Sequence, residues 1–143
     1  MNEVKLPEAL TEYFAACGIR ICADTWCEIT DDESVTDVSE ADSSVTDSTE
    51  AILSLDGTKN IVREYIDGTS LVEYGFEIRR RGRADSVRDR LDAMSFFDKV
   101  NEAVRACEKR EFSLKVSSGV AKAAVYDSGE EEYREGYKIV VRQ

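Results

Sequence analysis

The chain has 143 residues with 19 basic and 30 acidic side chains, a formal charge of −11, four cysteines and no histidine. That length suits one domain with a core of its own, without help from metal or disulfides. The charge argues against a nucleic-acid-binding surface over the whole molecule, because such binding relies on Lys and Arg displacing counterions from phosphates. The missing histidine removes the commonest general base, the commonest neutral metal ligand and every histidine-dependent triad.

The start, MNEVKLPEAL, lacks the basic and apolar runs of a secretory leader, and nowhere are there the roughly 18 consecutive apolar residues of a membrane span. The expectation is a soluble protein made in the cytoplasm, with no cofactor and no membrane partner. Leu6 to Cys17 reads as a helix, with Pro7 in its first turn, Gly18 just past its end and Leu6, Leu10, Tyr13, Phe14 and Cys17 along one side. Ile19 to Ile29, which contains Trp26, is read as a strand. Cys17, Cys22 and Cys27 are spaced with four residues between neighbours, which matches no common zinc pattern; with Cys107 they are expected to be reduced, buried thiols.

Asp31 to Glu50 carries eight acids and no base, so the remainder of the chain has a net charge of only −3. From Asp31 to Thr49 the chain is rich in Ser, Thr, Asp and Glu, lacks aromatic residues and repeats SVTD at Ser34–Asp37 and Ser44–Asp47. Such a segment buries too little apolar surface to offset the entropy of ordering, and a mobile acidic loop over 31–49 is expected. It lacks the Gly-centred spacing and terminal Glu of an EF-hand loop, so no metal is predicted.

Glu50 to Leu55 has strand character and Asp56-Gly57 reads as a turn. The central hairpin follows: Asn60 to Ile66, then a strand from Val72 on which Val72, Tyr74, Phe76 and Ile78 alternate with Glu73, Glu77, Arg79 and Arg81. A two-residue type I′ turn at Asp67-Gly68 would place Ile66 opposite Thr69, Arg63 opposite Val72 and Ile61 opposite Tyr74, leaving a protruding polar tip. Arg79, Arg80, Arg81 and Arg83 read as a solvated strand end paired with carboxylates in preference to a DNA contact.

Asp85 is the expected N-cap of a second helix, with Val87, Leu91, Met94, Phe97, Val100, Val104 and Cys107 as its apolar stripe. Phe112 to Val116 and Val120 to Tyr126 read as strands, and a second hairpin around Asp127 to Gly129 leads into the last strand, marked by Tyr133, Tyr137, Ile139 and Val141. The fold class is therefore α+β: a two-layer sandwich whose mainly antiparallel sheet of about five strands carries two helices on one face. The uncovered face would hold Glu73, Glu77, Arg79, Arg81, Arg134, Lys138 and Arg142, a mixture of signs suited to contact with another subunit.

Four pieces, Tyr65-Ile66-Asp67-Gly68-Thr69, Glu73-Tyr74-Gly75-Phe76-Glu77 with its Arg-rich exit, Leu91-Asp92-Ala93-Met94-Ser95-Phe96-Phe97 and Gly136-Tyr137-Lys138-Ile139-Val140-Val141, occur in one order and spacing. From about Ala51 to the end the chain thereby resembles the tail terminator, or minor capsid, proteins of long-tailed bacteriophages and prophages of Gram-positive bacteria. The resemblance implies a single structural domain over 1–143, without catalysis, that assembles as a ring, usually a hexamer. The ring sits on the head-proximal end of the tail tube, stops tube growth and joins the tail to the head. The implied partners are other copies of the chain, the tail tube protein and the head-tail connector protein, with no specific nucleic acid, and the implied location is the virion tail. Glu73, Glu77, Arg79, Arg81, Tyr65 and Asp67 are the expected subunit-interface residues. Two other classes stay open: an acidic regulatory or inhibitor protein of phage origin whose loop imitates nucleic acid, and a small enzyme that uses carboxylates alone, which would need two of them held close with separated pKa values.

Overall fold

A computed structural model describes residues 3–23 and 50–143. The first helix, α1 (Leu6–Ala16), follows a short 3-10 turn and buries Leu6, Leu10 and Phe14. It ends in a Schellman motif: Ile19 N donates to Phe14 O at 2.8 Å, Gly18 N donates to Ala15 O at 3.0 Å, and Gly18 takes the positive φ of 83° that closes the motif. Ile19 then folds back beside Phe14 into the core.

Among the described residues five strands form one sheet in the order β1-β2-β3-β5-β4: β1 (Cys22–Ala23), β2 (Glu50–Glu64), β3 (Ser70–Arg83), β4 (Phe112–Val125) and β5 (Glu130–Arg142). All neighbours are antiparallel except β1, which runs parallel to β2. Both helices cover the same face, and Tyr13 of α1 donates its hydroxyl to the Ala103 carbonyl of the second helix, α2 (Val87–Arg105), at 2.6 Å. The architecture is the expected two-layer α+β sandwich. Within the expected strand at 19–29 only Cys22–Ala23 is extended and paired among the described residues; the rest of it beyond Ala23, with Trp26 and Cys27, lies outside them, as does the acidic segment 31–49.

Several local expectations are corrected. Asp56-Gly57 is not a turn between two strands but a bulge inside one long strand, where Asp56 Oδ1 accepts from Thr58 N at 2.8 Å and from Thr58 Oγ1 at 2.6 Å. Phe112–Val116 and Val120–Tyr126 likewise belong to one strand, β4, kinked by register shifts between Val116 and Ala121. The central turn has three residues in its loop: Tyr65 N donates to Thr69 O and Gly68 N to Tyr65 O, with Gly68 at φ 91°, a type I turn closed by a G1 bulge. The register moves accordingly, so Arg63 faces Leu71 and Ile61 faces Val72.

Ser86, not Asp85, caps α2, accepting from Asp89 N at 3.2 Å, while Asp89 Oδ2 accepts from Asp85 N at 3.0 Å. The stripe facing the sheet runs through Arg90, Ala93, Phe97, Val100 and Val104; Val87 and Leu91, placed on it from the sequence, are 69% and 60% exposed. The first turn projects past the apolar part of the sheet, and there Arg90, itself about half exposed, reaches down to the buried Glu131. The cysteine expectation also changes. Cys17 is free but exposed at the end of α1, Cys107 is free and half-buried, and Cys22 sits on the outward side of β1 and is disulfide-bonded.

The four long strands are two copies of one design at a constant offset of 61 residues: Tyr65 and Tyr126, Gly68 and Gly129, Gly75 and Gly136, Ile78 and Ile139, Arg81 and Arg142. Each hairpin opens with a Tyr and turns on a positive-φ Gly, and each outer strand bulges over a Gly of the inner one. The equivalent residues Phe76 and Tyr137 face each other across β3 and β5 and stack at 5.3 Å. An approximate two-fold axis therefore passes through that pair, and the two hairpin tips lie at opposite ends of the sheet.

Candidate functional site

Alternation along β3 and β5 sends Val72, Tyr74, Phe76, Ile78, Tyr137, Ile139 and Val141 under the helices, with Glu131 and Glu135 on that same side, and turns Glu73, Glu77, Arg79, Arg81, Lys138 and Arg142 to the other face. On that face, between the first hairpin tip and the Phe76–Tyr137 pair, stands Glu73. Lys115 Nζ donates to its Oε2 at 3.0 Å and Lys138 Nζ to its Oε1 at 3.3 Å, so each carboxylate oxygen has its own ammonium. The Lys115 hydrogen bond, aided by Lys138 and opposed by partial burial, holds the Glu73 carboxyl below the usual range.

Towards the second hairpin, Arg79 bridges Glu77 at 3.3 Å and Glu132 at 3.6 Å. Arg81 Nη2 and Nε both donate to Glu130 Oε1, at 2.9 and 3.1 Å, and its guanidinium lies 3.7 Å from the centre of the Tyr126 ring. The Tyr126 hydroxyl donates to Glu132 at 2.6 Å, and this bond pushes its pKa up.

The other tip repeats the arrangement. Arg142 stacks on Tyr65 at 4.6 Å and donates to Asp67 Oδ2 at 3.4 Å. Asp67 Oδ1 accepts from the hydroxyl and backbone N of Thr69 at 2.7 and 3.0 Å, and the hydroxyl bond is the main reason its carboxyl is held below the usual range. Arg81 and Arg142 are thus equivalent residues doing one job at two ends: each seals the hairpin turn that its neighbouring strand makes.

The six residues expected from the sequence do not form one cluster. Tyr65 and Asp67 sit at the first tip, Glu73 between that tip and the centre of the sheet, and Glu77, Arg79 and Arg81 toward the second tip, all but Tyr65 tied by ion pairs to this same chain. Their partners Lys115, Tyr126, Glu130 and Glu132 were not singled out from the sequence. The repeated Tyr-x-x-Gly with an Arg thirteen positions past the Gly is the signal that marks them. Among the described residues no group of three or more acidic or sulfur side chains is placed to hold a metal ion, and no helix is long and apolar enough to cross a membrane.

Compared with known proteins, the chain matches no family model, and no curated protein matches it significantly in sequence.

Proposed function

We propose that this chain is a ring-forming structural subunit of the tail-terminator kind, seated on the head-proximal end of a phage tail tube, where the ring stops tube growth and offers the surface that the head-tail connector meets. The reading starts from the ordered set of motifs between Ala51 and the C-terminal strand. What supports it in the structure is the distribution of exposed apolar side chains. Ile61, Val62 and Ile66 stand out around the first hairpin tip, while Val87, Leu91 and Val125 stand out at the opposite end, beside the second.

Two unlike surfaces at opposite ends of a molecule suit a heterologous, head-to-tail contact, the kind that closes into a ring when the rotation between copies is right. Each is a few side chains wide, too little to hold copies together unaided. Between them the uncovered sheet face is already neutralised by its own ion pairs, so a neighbour there meets a firm, charged but non-sticky surface. Assembly then depends on the tube as a template. Tail tubes in phage lacking this protein should lose their defined length; tubes of unchanged, uniform length would refute the assignment.

A further inference from the structure

The internal repeat gives the two hairpin tips one backbone, but the side chains at equivalent positions differ in kind. Ile66, fully exposed at the first tip, corresponds to Asp127 at the second, Arg63 to Ala124 and Glu64 to Val125. Beside Ile66 on the same hairpin, Ile61 and Val62 are also exposed. Lys59 and Arg63 lie over the rings of Tyr74 and Tyr65 at 5.7 and 5.8 Å. Among the described residues neither cation is in an ion pair, since Asp67 of the turn is engaged by Arg142, and Glu64 is the acid beside them.

The opposite end of the molecule is a ledge. Val87 and Leu91 are one turn apart on α2, and between them Arg90 reaches Glu131 at 3.5 Å. β4 places Val125 opposite Glu131, so the three exposed apolar side chains gather round that ion pair. Asp89, Asp92 and Asp127 flank them; among the described residues none of the three is in an ion pair, and Arg88 is the base beside them. Once charges paired within the chain are set aside, the tip is left basic and the ledge acidic.

We propose that the first hairpin tip of one copy, led by Ile66, docks on the Val87, Leu91 and Val125 ledge of the next copy, with Lys59 and Arg63 facing Asp92 and Asp127. This deepens the ring-forming reading above and rests on it. Like-to-like contact is disfavoured on both sides: tip on tip brings arginine to arginine, and ledge on ledge brings aspartate to aspartate. Because the tip and the ledge lie at opposite ends of the sheet, the contact passes from copy to copy in one direction and is satisfied throughout only when the chain of copies closes.

The test is amide NMR of the intact protein from about 0.05 mM to about 1 mM, with no tail tube present. Resonances of Arg63–Thr69 and of Val87–Asp92 should move together as concentration rises, and the movement should shrink in high salt. Ile66→Asp gives the first tip the residue that the second tip carries, and Leu91→Lys sets a base on the ledge. Each should weaken self-association roughly tenfold or more. An equimolar mixture of the two variants should recover the wild-type affinity, because the intact ledge of one meets the intact tip of the other. Spectra that do not change up to about 1 mM, movement at one patch alone, or a mixture as weak as its parts overturns the contact. The contact and the terminator reading fail separately. Copies that pair tip to ledge yet leave tube ends bare would refute that reading and keep the contact. Rings that Ile66→Asp or Leu91→Lys copies build on tubes as readily as wild type would keep the ring and refute the contact.

Discussion

Gly75 has no room for a side chain. A Cβ built there would lie 2.2 Å from Thr58 Oγ1 and 2.5 Å from Asp56 Oδ2, two atoms fixed by the hydrogen bonds of the β2 bulge. Gly75→Ala should therefore lower the unfolding free energy by about 1–3 kcal/mol in urea titrations, and Thr58→Ala in the same chain should restore part of it. A Gly75→Ala protein as stable as wild type would mean that the bulge does not rest on this strand. The same pair of residues shows where local sequence stops being informative. Asp56-Gly57-Thr58 and Asp67-Gly68-Thr69 are the same tripeptide with the same Asp-to-Thr hydrogen bonds and the same positive-φ Gly, yet the first is a bulge and the second a hairpin turn. The distinction lies across the sheet, in whether a glycine such as Gly75 lets the strand continue.

At the scale of the elements, alternation on β3 and the α1 boundaries were legible because each follows from local chemistry: period-two burial, Pro7 near the start, Gly18 at the end. The stripe of α2 was not, since Val87 and Leu91 have the right spacing for an apolar face but project beyond the apolar sheet, where a half-exposed Arg90 reaches the buried Glu131 at 3.5 Å. Removing the cap with Ser86→Ala should cost about 1 kcal/mol of stability in thermal or urea unfolding, while Asp85→Ala, one residue earlier, should cost less. Equal losses would place the cap elsewhere. Ion pairs between strands give a second element-level expectation. Glu73, Asp67 and Glu131 all have carboxyls held below the usual range, led respectively by hydrogen bonds from Lys115, Thr69 and Tyr133. Stability from such groups is complete above roughly pH 4 and is lost as pH falls through their folded-state values. Glu73→Gln should flatten that acid-side loss in unfolding measurements below pH ~4.5, whereas an unchanged slope would show that the two lysines do not clamp Glu73 in solution.

For the whole molecule, the two-layer class was readable from two helical periods among alternating strands, but the two-fold repeat within the sheet was not, because few of the positions 61 apart are identical and the expected turns split β2 and β4 into pieces. Once register is known, the repeat explains why Arg81 and Arg142 seal opposite tips. It also changes the expectation for the interface arginines. Arg79 and Arg81 are engaged with Glu77, Glu132 and Glu130 of their own chain, carboxylates that are themselves mostly covered, so reversing both to Glu should lower stability as well as spoil the charge pattern a neighbour would meet. A folded but less stable protein with assembly weakened is the expected outcome, and unchanged assembly at low salt would remove the two arginines from the interface. The most direct measurement of the central claim is the mass of the purified protein alone and after mixing with its cognate tail tubes, with the tube ends viewed by electron microscopy. The expected result is a monomer alone and a closed ring at one end of each tube; a monomer that leaves tubes bare at both ends would overturn the assignment.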